Sequence, residues 1–239
     1  MTNMKITLLT GRTFDIVREA GFELKVVESA RARRLSLRID SQKRIPVLTV
    51  PRFCSARRAL AFVQRQKAWI ETRLQKIPER RYFADSDKIS LNGIELEIRH
   101  CPELRGGVII EDGFLKVCGE KTFLARRVRD FIKNQAQKVL YELSVQKAAQ
   151  IDCKVNRVVI KDTKSRWGSC STLHNINYSW RIMLAPLIVI DYLVAHEVAH
   201  LLHPDHSPAF WQCVADLAQD AEQGRIWLKK NAAKLNEYV

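Results

Sequence analysis

The chain has 239 residues, enough for one large domain or two modest ones, and its 46% hydrophobic and 28% charged side chains exclude disorder on a large scale. No stretch approaches 18 uninterrupted apolar residues, because the most apolar segment, 187–202, holds Asp191, His196, Glu197 and His200; a membrane-spanning role is therefore excluded. The net charge of +14 is uneven: residues 1–81 carry 19 Lys/Arg against 7 Asp/Glu, and residues 82–239 carry 21 against 19, which points either to a polyanionic partner for the first part or to a well-solvated basic surface.

The opening MTNMKITLLTGRTFDIVREAG lacks the basic flank, apolar run and cleavage site of a secretory signal. Six scattered cysteines (Cys54, Cys101, Cys118, Cys153, Cys170, Cys213) form neither a C-x-x-C pair nor a disulfide framework, so the expected compartment is the reducing cytoplasm. From Val26 the sequence alternates through Leu35, Leu37 and Ile39, crosses DSQKR and resumes with Val47, Leu48 and Val50, the pattern of a β-hairpin. Ser55 can cap a helix with Ala59, Val63, Ile70, Leu74 and Ile77 at helical spacing, ending near Pro78. Asn92-Gly93 and Asp112-Gly113, each between apolar runs, signal two more hairpins, which makes the first half β-rich.

Residues 122–151 predict one long helix, with no Gly or Pro to interrupt it. Strand-like residues 157–160, the segment KSRWGSCS (164–171) and alternating INYSWRI (176–182) follow. Pro186 opens a helix over LIVIDYLVAHEVAHLL that is apolar on nearly every side and should be buried, so its ionisable residues need partners. Ser207-Pro208 begins a last helical region through Asp220, and no internal repeat is present.

His196 and His200 are four residues apart on the expected helix, so their rings lie on one face about 6 Å apart, where a zinc ion with bonds of about 2.0 to 2.1 Å can bridge them. Glu197 stands beside the first of them, and H-E-x-x-H combines two ligands with a base for a water at the ion. For the third ligand, His203 shares the face of His196 but sits about 10.5 Å along the axis. Pro204 disfavours helix at His203 and turns the chain, so His206 just beyond can fold back; it is favoured over His203, with Glu222 on the last helix a weaker candidate. Any one of these histidines alone reads better as helix surface or satisfied core; four close together with Glu197 do not.

HEVAHLLHPDHSPAFW (196–211) resembles the active-site segment of the YgjP-like metallopeptidases, related to the WLM and SprT-like zinc proteases. KSRWGSCS followed by INYSWRIMLAP resembles that family's second signature, and RRLSLRI (33–39) with VLTVPR (47–52) its N-terminal hairpin, so the likeness runs from about residue 25 to 230. The resemblance implies His196, His200 and His206 as zinc ligands and Glu197 as catalytic base. Asp205 stands where members often have Asn, a difference in charge beside the third ligand that leaves the ligand set intact. The expected fold class is α+β: a zincin-like catalytic region over 121–239, with a long backing helix, a small mostly antiparallel sheet and an active-site helix, after a β-rich basic region over 1–120.

The expected reaction is peptide hydrolysis, with zinc acidifying a water, Glu197 taking its proton and passing it to the leaving amine. Tyr178, Tyr192 and His174 are open candidates for the oxyanion donor. Trp167, Gly168 and Ser169 are candidates for the edge of a substrate cleft, where a peptide could add as a strand; the alternative is that Trp167 packs in the core and Gly168 marks a bulge. Phe210 and Trp211 read as core residues that fix the turn presenting His206. The expected partners are a protein or peptide substrate and, as a candidate, nucleic acid through the basic residues 1–81, with no membrane. Two other readings stay open: a nucleic-acid-binding protein with a structural metal, or a zinc hydrolase of a non-peptide bond. Glu197 favours catalysis over the first, since a structural site needs no acid beside its ligand.

Overall fold

A computed structural model describes residues 6–7, 13–14, 22–40, 44–75, 81–163 and 166–239, in two units, Met1–Pro78 and Glu79–Val239, each with its own apolar cluster. In the first unit, β1 (Ile6–Thr7) pairs antiparallel with β2 (Thr13–Phe14). β3 (Lys25–Ser29), β4 (Ser36–Asp40) and β5 (Ile45–Pro51) form a sheet in the order β3-β5-β4. The expected hairpin is β4 with β5; its turn at residues 41–43 lies outside the described residues, and Val26 belongs to a third strand parallel to β5. Central in the sheet, β5 buries Val47, Leu48 and Val50.

Ser55 caps α1 (Ala56–Arg65), its hydroxyl accepting the Arg58 N–H at 3.3 Å. The single helix expected here is two. The N–H of Gln66 is shared by the carbonyls of Phe62 and Val63, which tightens the turn, and α2 (Lys67–Gln75) starts beyond it. Ala59, Val63 and Ile70 still reach one cluster with Leu24, Leu48 and Val50, because the seven residues from Val63 to Ile70 are two helical turns. Ile77 and Pro78 lie outside the described residues.

In the second unit β6 (Lys88–Leu91), β7 (Ile94–Cys101), β8 (Val108–Glu111) and β9 (Phe114–Cys118) form a sheet in the order β6-β7-β9-β8. Both expected two-residue turns are present, with φ of 50° and 78° at Asn92-Gly93 and 52° and 78° at Asp112-Gly113. The first turn bears on the helix that follows Pro186: the Asn92 N–H donates to the Met183 carbonyl at 2.7 Å, and a Cβ on Gly93 would meet Leu187 Cγ at 2.7 Å. Leu96, Ile98, Leu115 and Val117 share a cluster with Leu124, Val128 and Ile132 of α3 (Leu124–Ala149). The units divide at 78/79, and this sheet lies in the second, where its apolar residues share one cluster with α3.

β10 (Arg157–Lys161), β11 (Gly168–Cys170) and β12 (Asn175–Ser179) make a small sheet in the order β10-β12-β11. Instead of mostly antiparallel, it has one parallel pair, β10 with β12, and one antiparallel pair, β11 with β12. The strand expected through Ile182 stops at Ser179, because Trp180–Leu184 bury all five side chains in a 3-10 helix and no longer alternate. Then come α4 (Leu187–Ala199), α5 (Pro208–Leu217) and α6 (Ala221–Leu235). α4 buries eight apolar side chains, about 1.5 to 3 kcal/mol for each of the larger ones, which outweighs the one buried carboxyl it carries, Glu197. It ends at Ala199, a turn earlier than expected. The second helical region also ends early, at Leu217, and α6 was not expected: Asp220 caps it by accepting the Gln223 N–H at 2.9 Å, and Gly224, a helix-weakening residue by sequence, lies where α6 meets Tyr192 of α4. The fold class is α+β, and among the described residues no helix is long and apolar enough to cross a membrane.

Candidate metal centre

Two of the three histidines sit where α4 ends. His196 is in its last turn and His200 is its C-cap, one turn on, so their ring centroids lie 5.1 Å apart. The chain then turns: the N–H groups of Leu201 and His203 bond the carbonyls of Val198 and Ala199, Pro204 follows, and Ser207 starts α5 by accepting the Phe210 N–H at 3.4 Å. That bend returns His206, with ring centroids 5.2 Å from His196 and 4.8 Å from His200. One nitrogen from each of the three rings lies within 4.8 Å of the others.

Phe210, fully buried, is the floor under all three. It stacks on His200 at 4.5 Å and meets His206 and His196 edge-on at 4.7 and 5.0 Å. Trp211 packs against His206 at 5.7 Å but is 39% exposed, so of the two aromatics expected in the core only Phe210 is there; Trp211 is a flank.

His203 is not among the converging residues, and its role is different. Its carbonyl accepts the His200 Nδ1–H at 3.0 Å, which fixes the tautomer and leaves the lone pair of His200 on Nε2, facing inward. His196 has no such outer partner among the described residues; its Nδ1 is buried and unbonded. Nε2 of His196 and Nε2 of His206 face each other at 3.4 Å. Two ring lone pairs at that separation repel unless a proton or a cation lies between them. Burial, with the neighbouring His200 and His206 adding to it, pushes the His196 pKa down to about 4, and burial also lowers that of His200. Both are neutral at pH 7, the state that ligates metal. Three converging imidazoles suit a borderline divalent ion, so the residues fit the metal that the sequence implies.

Glu197 is 4% exposed and accepts no hydrogen bond among the described residues. Burial raises its pKa to about 8, opposed by the positive charge of Arg166. Gly168 makes room for it: a Cβ there would stand 2.6 Å from Glu197 Cγ and Cδ. The glycine therefore serves a close approach by the chain's own acid. A cleft of about 650 Å³ opens over the histidines and Glu197, with β11 along one side. Gly168 and Ser169 line it, whereas Trp167 packs against the hydrophobic cluster. Lys164 and Ser165 of the same segment lie outside the described residues.

Of the three oxyanion candidates, His174 lines the cleft, its Nδ1 donating to the Lys154 carbonyl at 3.2 Å. Tyr178 is buried against Ser144 Oγ at 3.0 Å, and Tyr192 meets His196 edge-on and lines a separate cavity with Trp211 and Glu222. Glu222 is thus not brought to the three rings. Behind the site, Lys147 of α3 pairs with Asp191 of α4 at 2.5 Å and donates to the Leu217 carbonyl at 2.6 Å, while Asp191 accepts the Gln219 N–H at 2.8 Å. This is the partner that Asp191 needed, and no local pattern links residues 147 and 191. The floor role of Phe210 had a signal, since Ser207-Pro208 fixes where α5 starts and hence which of its residues faces back to the turn.

A family model described as YgjP-like, metallopeptidase domain, matches residues 33–231. Among solved structures, the crystal structure of the metallopeptidase zymogen abylysin of Pyrococcus abyssi is similar over 38% of this chain and 94% of that one, at 19% identity and a TM-score of 0.35. No curated protein matches the chain.

Proposed function

Because the chain belongs to the YgjP-like family of metallopeptidases, we propose that it is a zinc-dependent, zincin-like peptidase whose ion is held by His196, His200 and His206 and whose general base is Glu197. The observation that carries this reading is the convergence of three imidazole nitrogens within 4.8 Å beside a buried carboxyl that has no hydrogen-bond donor among the described residues. A divalent ion held by His196, His200 and His206 would supply Lewis-acid chemistry, acidifying a water and polarising the scissile carbonyl.

The protein's own residues supply the rest. Burial keeps Glu197 protonated and the charge of Arg166 opposes this; with a cation held by the three histidines the carboxyl would ionise and could accept a proton at neutral pH. Held at Gly168, it takes a proton from the attacking water and delivers it to the departing amine nitrogen. The His203 carbonyl keeps the His200 ring aimed inward, and Phe210 prevents the rings from turning away. β11, bonded on one side only within its sheet, offers its other edge along the cleft for an extended peptide to pair with.

The site is proposed to act in the cytoplasm on unfolded protein or peptide. In the first unit, Arg31, Arg33, Arg34, Arg57 and Arg58 are exposed and pair with no carboxylate among the described residues, which supports a polyanion such as nucleic acid as an additional contact of residues 1–81.

The test is metal analysis together with hydrolysis of an unfolded protein. Wild type should hold about one zinc per chain and cleave; Glu197→Gln should keep the metal and lose at least about a hundredfold in rate; His206→Ala should lose metal and activity together. A metal-loaded wild type as inert as Glu197→Gln would refute the peptidase.

A further inference from the structure

Successive residues of β11 face opposite sides of its sheet. Gly168 abuts Glu197 on the α4 side, while Ser169 stands across from Asn177, whose Nδ2 donates to Ser169 Oγ at 3.2 Å. A second cavity of about 330 Å³ lies here, lined by Lys161, Thr163, Arg166, Gly168, Ser169 and Asn177. Arg166, Gly168 and Ser169 line both this cavity and the metal-centre cleft, so the two adjoin across the rim made by β11.

The charges are one-sided. No acidic residue lines the second cavity, and neither Lys161 nor Arg166 has an ion pair among the described residues. The adjacent acid, Asp162, is bonded to Arg181. Arg166 lines the metal-centre cleft as well, which puts one cation at both cavities. Two unpaired cations with a hydroxyl and an amide make a receptor for a carboxylate, to which the planar Arg166 can bond with two parallel N–H groups. A peptide extended along β11 alternates its side chains with a period of two, so the neighbour of a residue directed into the metal cleft is directed over this second cavity.

We propose that Lys161 and Arg166 form a carboxylate-binding subsite that selects substrates carrying an acidic side chain, or a free C-terminal carboxylate, next to the bond cleaved. The inference rests on the peptidase reading of the adjoining cleft.

Its test is a set of quenched fluorescent peptides that carry Glu, Gln or Lys at one position at a time within three residues of the cleaved bond, each with a free and an amidated C-terminus. Zinc-loaded full-length protein is assayed for kcat/KM, and binding of the same peptides to Glu197→Gln protein is measured by calorimetry. At one position Glu should exceed Gln by about five- to tenfold in both readouts, the size of one or two partly solvated ion pairs. If the preference instead follows the free over the amidated terminus, the carboxylate recognised is the terminal one. Lys161→Gln and Arg166→Gln should bring the ratio close to one, and Lys161→Glu should shift the preference to Lys. Cleavage with equal efficiency for Glu and Gln and for both termini, or cleavage with a preference that survives both Gln substitutions, overturns the subsite and leaves the peptidase standing; binding without cleavage overturns the peptidase. Neither cleavage nor binding of any peptide overturns both.

Discussion

Glu197 is the residue at which function and stability oppose each other. An unfolded chain ionises this carboxyl near 4.5, and the folded chain without metal only near 8. Between those values the unfolded state has released the proton and the folded state has not, so the stability tied to the neutral, buried acid is complete below about 4.5 and is lost as pH rises through about 8. The whole effect is at most about 5 kcal/mol. Glu197→Gln keeps the shape and removes the ionisation. In chelator it should therefore melt well above wild type at pH 8.5 and close to it at pH 4.5; a difference that does not change with pH would show that burial does not hold the carboxyl neutral. Gly168→Ala tests the same side chain from the other side. The added Cβ would stand 2.6 Å from Glu197 Cγ and Cδ and displace the carboxyl, so hydrolysis should fall about a hundredfold while zinc content stays at the wild-type level. Loss of zinc in this variant would mean that Gly168 supports the ligands and not the base.

At the scale of elements, the site depends on how α4 is clamped. Lys147 and Asp191 tie α3 to α4 and to the chain just after α5, and α6 closes on α4 at Gly224. Two effects compete at that glycine. Alanine is the better helix former by about 1 kcal/mol, but its Cβ would lie 2.5 Å from Tyr192 Cβ and 2.9 Å from the Ile188 carbonyl oxygen, atoms that cannot swing aside. Overpacking against such atoms costs about 1 to 3 kcal/mol and outweighs the gain. Gly224→Ala should lower the urea midpoint with no change in slope; a higher midpoint would show that α6 can slide along α4. The helix break at Gln66 and the early end of the strand at Ser179 belong to this scale too. In both places hydrophobic spacing continues past the end of the element, because buried side chains recur on either side of a tightened turn.

At the scale of the whole molecule, the described residues form two apolar clusters, one in each unit, and the three histidines all lie in the second unit. Metal held there stabilises only the state in which α4 and the bend to His206 are formed, by about 4 kcal/mol when free metal exceeds its Kd a thousandfold. Calorimetry of the full chain with and without chelator should show two transitions, of which only the one belonging to Glu79–Val239 moves. One transition shifting as a whole would mean that the units unfold together. The family match begins at residue 33, within the first unit, so it takes in part of each unit.

The metal-ligand candidates are legible in the sequence because their geometry is local. The i, i+4 spacing of His196 and His200 and the stop imposed by Pro204 are properties of a ten-residue stretch, and the two Gly-containing turns are likewise set by the few φ angles they require. What needed the tertiary structure depends on contacts between residues far apart in the chain: the sheet of β6 to β9 lying with the second unit, Gly168 yielding its side-chain space to Glu197, the His203 carbonyl serving as an orienting acceptor, and Lys161 facing the same cavity as Arg166. Periodicity records which face of an element is buried. It carries no information about what that face is buried against, because that is settled only when all the apolar surfaces of the chain compete for one another.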